Sequence, residues 1–270
     1  MSIRQYRPAG RSRRGMTNKQ SIFAYSLFAV TVGLQILYPL VHGGLLRIVT
    51  LLFVYAGALA ILTHAFYSYG FKYLFLYLTI TFAFALAIEE IGSRTGWPFG
   101  EYQYSPTLGF AIYDVPFVVP FAWVMMAHPM LIIARKISSS WAFLIGGVGL
   151  MVWDFFVDPQ MVSAGRWSWK AVNQHVPLEP TIPLSNAVGW LLGGMALIAI
   201  LHRVLPKGRR KVGASTALVD LFLLWTVISG IIGNIFFFHT PGVAIMGGIP
   251  FTILLIFYLL ASRLGRPDQF

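Results

Sequence analysis

The sharpest chemical feature of the chain is a pair of aspartates, Asp154 and Asp158, in the segment Trp-Asp-Phe-Phe-Val-Asp-Pro that ends at Pro159. Residues four apart point to one face of a helix. Two carboxyl groups close together in a dry pocket cannot easily both ionise, so one is expected to keep its proton near neutral pH. The pair is therefore predicted to be a general acid for a weak base. The structural alternative is that Asp158 caps the backbone near Pro159 while Asp154 pairs with a cation such as Arg94.

A second acidic feature is the adjacent pair Glu89 and Glu90 at the end of an apolar run. Neighbours on a helix point about 100° apart, so at most one of them faces a given pocket. We predict that one of the two is catalytic or binds water, and the sequence leaves open which. Asp114 fits an interfacial helix cap, and Asp220 fits a structural role.

Aromatic residues accompany these acids. In the segment 95–104, glycines flank a Trp-Pro-Phe unit, which predicts a sharply folded loop. Aromatic faces stabilise cations, so we predict that aromatic rings and one amide line a cavity near the acids. The alternative is an aromatic belt at the membrane surface. The candidate binding residues are Trp97, Phe99, Tyr102, Tyr104, Trp153, Trp167, Trp169, Asn186 and Trp190.

The composition indicates which elements position these residues. Hydrophobic residues make up 57% of the 270 residues and charged residues only 11%, with a mean hydropathy of +0.71. A soluble domain carries about 25% charged residues, so a soluble enzyme, a coiled coil and a disordered chain are excluded. The predicted fold is an all-α bundle of about eight transmembrane helices, at residues 21–41, 45–66, 71–91, 113–134, 141–158, 184–205, 217–238 and 243–262.

The distribution of positive charge among the loops predicts the orientation of the chain in the membrane. Of the 20 Lys and Arg residues, only Arg47, Arg94, Arg166 and Lys170 fall on the side opposite the N-terminus. This positive-inside bias places both termini in the cytoplasm. We therefore predict a multi-pass protein of the cell membrane, with a basic cytoplasmic tail over 1–20, one transmembrane domain over 21–262 and a cytoplasmic tail over 263–270. Two long connections, 92–112 and 159–183, then lie on the outer side, where such loops often carry function.

The acids collect on that outer side. Ionisable residues inside a span cost a few kcal/mol and mark functional sites by default. Seven of the nine acidic residues lie in the outer halves of spans or in the two outer loops, namely Glu89, Glu90, Glu101, Asp114, Asp154, Asp158 and Glu179.

Several kinds of chemistry are not supported by the sequence. There are no cysteines, which excludes disulfides and thiolate catalysis. The six histidines form no HxxH box, and no nucleotide-binding glycine motif opens a helix, so no metal or other cofactor is expected. The net charge of +11 resides in short loops beside spans, where it orients the chain, and nucleic-acid binding is not expected.

Four motifs, in order, resemble those of the CruF-type carotenoid hydratases, the membrane family of bisanhydrobacterioruberin hydratase and gamma-carotene 1',2'-hydratase. They are Glu-Glu-Ile-Gly at 89–92 with the segment 95–104, Trp-Asp-xxx-Asp-Pro at 153–159, Trp-x-Trp at 167–169 and Ile-Pro-Leu-Ser-Asn-x-x-Gly-Trp at 182–190. The resemblance implies addition of water across the terminal 1,2 double bond of an acyclic carotenoid without a redox cofactor. The implied partners are a substrate of the lycopene, gamma-carotene or bisanhydrobacterioruberin type, water and membrane lipid.

Under this resemblance, Asp154 and Asp158 would supply the proton and stabilise the resulting cation. Glu89 or Glu90 would orient or deprotonate the water molecule. Two other classes of function stay open. A proton-coupled transporter also places acids in its spans, and a non-catalytic scaffold would bind carotenoid without changing it.

Overall fold

The computed structural model describes residues 16–206 and 214–264. Within these ranges, eight helices are long and apolar enough to cross a membrane, which confirms the predicted all-α transmembrane class. They are α1 Asn18–Leu37, α2 Gly43–Tyr69, α3 Phe71–Thr95, α4 Val118–Ile137, α5 Ala142–Ser163, α6 Leu184–Val204, α7 Ala217–Ile232 and α8 Pro241–Leu264. A 3₁₀ turn over Tyr38–Leu40 extends α1, and a π-helical turn over Gly233–Phe237 extends α7.

Several predicted features lie outside the described residues. These are most of the basic tail over 1–20, the inner-loop cations at 207–211 and nearly all of the tail over 263–270. The cytoplasmic position of both termini and the domain boundaries therefore stay predictions.

The predicted ends of spans four and five were wrong. Span four was expected from residue 113, but α4 begins at Val118, because strands β2 Ala111–Ile112 and β3 Val115–Pro116 form a tight hairpin before it. Span five was expected to end at Asp158, but α5 continues through Pro159 to Ser163. Transmembrane helices tolerate proline where neighbouring groups satisfy the freed carbonyl, and the buried Met161 extends the packed face of α5 beyond it.

Two helices form the centre of the bundle. In the apolar stretch of α4, 78% of the residues are buried, against 17% in α1. The other central helix, α5, packs against α4, α6 and α8. Glycines let α5 approach α6 closely, since a Cβ atom on Gly147 would lie 2.5 Å from the Met195 Cγ and 2.8 Å from the Met195 backbone nitrogen. The acids of α5 are thereby held against the start of α6.

The two long connections, 92–112 and 159–183, are joined to each other. Strand β1 Tyr102–Tyr104 pairs antiparallel with β4 Trp167–Trp169, and the second connection also contains the hairpin of β5 His175–Val176 and β6 Glu179–Pro183. Alternate residues of a strand point to opposite faces. In β1, this directs Tyr102 and Tyr104 into the protein, while Gln103 is exposed. The joined loops therefore form an aromatic cover over the end of the bundle at which α3 and α5 end.

Replacement of Gly147 by alanine is expected to lower the thermal unfolding midpoint of the detergent-solubilised protein. The added methyl group meets the backbone of α6, and such overpacking costs about 1–3 kcal/mol. The matched control is Gly33→Ala in α1, where a Cβ atom meets nothing within 4 Å. Because alanine favours helix over glycine, this control should be neutral or slightly stabilising. Equal midpoints for the two variants would contradict the close α5–α6 contact.

Candidate active site

A cavity of about 270 Å³ lies beneath the aromatic cover. Three of the four predicted catalytic acids line it, namely Glu89 of α3 and Asp154 and Asp158 of α5. Eight of the nine predicted binding residues line it as well: Phe99, Tyr102, Tyr104, Trp153, Trp167, Trp169, Asn186 and Trp190. Residues from three helices, α3, α5 and α6, and from two loops, far apart in the sequence, thus meet in one place.

The aspartates are linked through one amide. Asp154 and Asp158 lie one helical turn apart and are almost fully buried. The Asn186 Nδ2 atom donates to Asp154 Oδ2 at 3.0 Å and also to Asp158 Oδ2. Trp167 Nε1 in the cover donates to Asp158 Oδ1 at 3.1 Å. The two carboxyl groups therefore lie on one face of α5, as their spacing predicts, and they share a single donor.

Glu89 is held differently, by three donors. Its Oε2 atom accepts from the hydroxyl groups of Tyr102 at 2.6 Å and Tyr104 at 2.7 Å, and its Oε1 atom accepts from Trp123 Nε1 at 2.9 Å. Burial and the adjacent Glu89 carboxyl raise the pKa of Tyr102 and of Tyr104 above that of a free phenol. Both phenols consequently keep their protons at neutral pH and act as donors to Glu89.

Two predicted site residues lie outside the cavity. Glu90 forms an ion pair with Arg94 and accepts from the backbone nitrogen of Asp114 at 3.0 Å. The side chain of Arg94 also lies 3.2 Å from Asp114 Oδ2, so the alternative pairing of Arg94 with Asp154 is not formed. Trp97 is 64% exposed and does not line the cavity. Of the two glutamates, the structure brings only Glu89 to the aspartate pair.

Three indole rings line the apolar wall beside the acids. The rings of Trp123 and Trp190 stack at a centroid distance of 4.2 Å, and Trp153 meets Trp190 edge-on at 5.7 Å. Sequence reasoning missed Trp123, which is fully buried in α4. Tryptophan favours the membrane surface. Trp123 instead lies well inside a predicted span, where its N–H needs a hydrogen-bond partner. This position was the available signal that Trp123 belongs to the site.

The cavity has an unusual charge balance. Among its lining residues, all within the described part of the chain, none is Lys, Arg or His. Three carboxyl groups therefore share an aromatic, largely apolar space without a basic side chain beside them. In residues 16–206 and 214–264, no three His, Cys, Asp or Glu side chains are grouped in a way that could hold a metal ion.

A second buried polar cluster lies at the opposite end of α3, and sequence reasoning missed it too. His64 Nδ1 lies 3.3 Å from His128 Nε2, and the Tyr73 hydroxyl lies 3.0 Å from His128 Nδ1. His64 also bonds the carbonyl of Ser215 at 3.0 Å. These contacts connect α2, α3 and α4 to the start of α7, so the cluster is a structural link between helices.

The chain resembles known proteins over most of its length. The family described as "Carotenoid biosynthesis protein" matches residues 49–240, which contain every acid of the cavity. The bisanhydrobacterioruberin hydratase of Haloarcula japonica is 31% identical over 224 residues, which are 77% of this chain and 68% of that protein. No solved structure matches the chain.

Replacement of Asn186 by leucine is expected to destabilise the fold by about 1–3 kcal/mol, because both buried aspartates lose their shared donor. Leucine has a similar volume, so loss of packing is small. Thermal unfolding in detergent measures the effect, with Asn173→Leu, at an exposed loop position, as the control. An Asn186 variant as stable as that control would contradict the described hydrogen bonds.

Proposed function

The chain belongs to the carotenoid biosynthesis protein family, and on this basis we propose that it is a carotenoid hydratase. The proposed reaction adds water across the terminal 1,2 double bond of an acyclic carotenoid end group and yields a tertiary alcohol. The observation that supports it best is the aromatic cavity lined by three buried carboxyl groups and no basic side chain. Such a cavity combines an acid with a surface that favours a cation.

The aspartate pair is the proposed proton donor. A trisubstituted alkene is a very weak base, so it needs a neutral carboxylic acid held against it in a dry site. Asp154 and Asp158 share one Asn186 donor and have no cation beside them among the lining residues. One proton shared by the pair removes the repulsion between two buried negative charges. Transfer of this proton to C2 breaks the double bond and leaves a tertiary cation at C1.

The walls of the cavity suit that cation. Carboxylates placed before the reaction stabilise positive charge as it develops, at no cost in reorganisation. The faces of Trp153 and Trp190 add a cation–π contribution. Binding energy is thereby directed at the transition state rather than at the neutral alkene, which is the condition for a faster reaction.

Glu89 is the proposed ligand of the water molecule. A carboxylate has about four acceptor positions, and Glu89 uses two on Oε2 and one on Oε1. The remaining position on Oε1 accepts a hydrogen bond from water, which attacks C1 through its oxygen. The proton released by this water passes to Glu89 and is exchanged back to the aspartate pair. The acid is regenerated, only water is consumed, and no redox step occurs.

The proposed substrate class is an acyclic carotenoid of the bisanhydrobacterioruberin, lycopene or gamma-carotene type, because all three carry the required end group. The proposed location is the cell membrane, where such an apolar substrate dissolves. The transporter and scaffold alternatives differ in outcome, since neither produces a hydrated carotenoid.

Replacement of either aspartate by asparagine, Asp154→Asn or Asp158→Asn, is expected to lower hydration at least about 100-fold, the usual contribution of a general acid. Membranes of a lycopene-producing bacterium that express each variant would be analysed by chromatography and mass spectrometry for carotenoid carrying one added water. Glu101→Gln is the control, because Glu101 is exposed and forms an ion pair with the exposed Lys170 at 3.3 Å. Near-normal hydration by both asparagine variants would contradict the assignment of the aspartate pair as the proton donor.

The two adjacent glutamates should respond differently. Glu89→Gln is expected to lower hydration at least about 100-fold, because the site loses the carboxylate that binds water. Glu90→Gln should retain most of the activity, since Glu90 lies outside the cavity. The same product assay measures both, and carotenoid that co-purifies with Glu89→Gln would show that binding survives. Equal activity of the two variants would contradict the role of Glu89.

A further inference from the structure

The cavity extends beyond the acids. From Asp154 and Asp158 it continues along α5 to a region walled by α1, α7 and the π-helical turn after α7. Most of its side chains there are apolar or aromatic, including Ile36, Phe222, Ile228, Ile232, Phe237 and Phe238. The cavity therefore has an acidic half under the cover and an apolar half between α1 and α7.

Solvent exposure differs between the two halves. Only four of the lining residues are exposed at the outside of the protein: Ile36 at 53%, Ile228 at 41%, Ile232 at 45% and Phe237 at 46%. One lies on α1 and three lie on α7 or the turn after it. A side chain that lines a cavity and also lies at the protein surface marks a thin or open wall. Because all four side chains are apolar and lie on transmembrane segments, this wall faces lipid.

One hydrogen bond crosses the same region. Trp225 Nε1 of α7 donates to Gln35 Oε1 of α1 at 2.6 Å, and both side chains line the cavity. Polar side chains between transmembrane helices fix their relative position. This bond holds α1 beside α7 at the apolar half of the cavity.

The shape of the substrate connects these observations. A conjugated polyene is long and rigid, so it cannot fold into a space of about 270 Å³. With its end group at the acids, the rest of the chain must leave the cavity through an apolar opening. Resting on the proposed function, we propose that the carotenoid enters and binds through the lipid-facing opening between α1 and α7. The end group then lies at the acids, while the polyene passes Ile228 and Ile232 into the bilayer.

Indole side chains placed in this opening test the proposal. Ile228→Trp and Ile232→Trp should each lower the amount of carotenoid that co-purifies with the protein, which is measured by visible absorbance per mole of protein. Each should also lower the amount of hydrated product. The expected loss is about tenfold or more, the usual consequence of overfilling a hydrophobic pocket. The control is Leu224→Trp, one helical turn before Ile228, because Leu224 is 49% exposed but does not line the cavity.

The outcomes separate this inference from the proposed function. Both test positions face lipid, and size-exclusion profiles like that of Leu224→Trp would show that the fold is intact. If both Ile228→Trp and Ile232→Trp retain pigment and product at the level of Leu224→Trp, the proposed opening between α1 and α7 is wrong. If the unmodified protein binds carotenoid but forms no alcohol, the hydratase proposal fails. The amount of pigment bound by the two variants would still show whether the polyene lies in the opening between α1 and α7.

Discussion

The structure is governed by the need to satisfy three buried carboxyl groups inside a membrane protein without a neighbouring cation. A carboxyl group removed from water is strongly unfavourable unless hydrogen bonds replace its hydration. Here the donors are an amide, two phenols and two indoles, carried by Asn186, Tyr102, Tyr104, Trp123 and Trp167. These donors satisfy the acids without neutralising them by ion pairing, so the carboxyl groups stay available for chemistry.

The same requirement explains why the two long loops are ordered. Tyr102 and Tyr104 lie on β1 and Trp167 lies on β4, so the acids of α3 and α5 are bonded by side chains of two different connections. Pairing of β1 with β4 keeps these donors in register. The backbone of the loops is satisfied at the same time, which matters at the border of a bilayer. Cover and acid site therefore stabilise each other.

Sequence reasoning found the helices and many of the residues that line the cavity, because both depend on local patterns. Apolar length predicts spans, and the four-residue spacing of Asp154 and Asp158 places them on one helical face. It could not choose between Glu89 and Glu90, since that choice depends on which face of α3 meets α4. Trp97 and Phe99 looked alike in one loop, yet only Phe99 is buried. The pairing of β1 with β4 joins segments more than sixty residues apart, and no local periodicity encodes it.

The burial of the acids beneath the aromatic cover has a consequence for the direction of the proposed reaction. A hydratase is also a dehydratase, and a tertiary alcohol that lingers beside its acid loses water again. Because a catalyst accelerates both directions equally, the buried acids cannot themselves favour the alcohol. Under the proposed reaction, net conversion then depends on how readily the alcohol moves through the proposed opening into the bilayer, where its hydroxyl group can reach the hydrated headgroups. The surrounding lipid would then govern the yield, while the acids govern the rate.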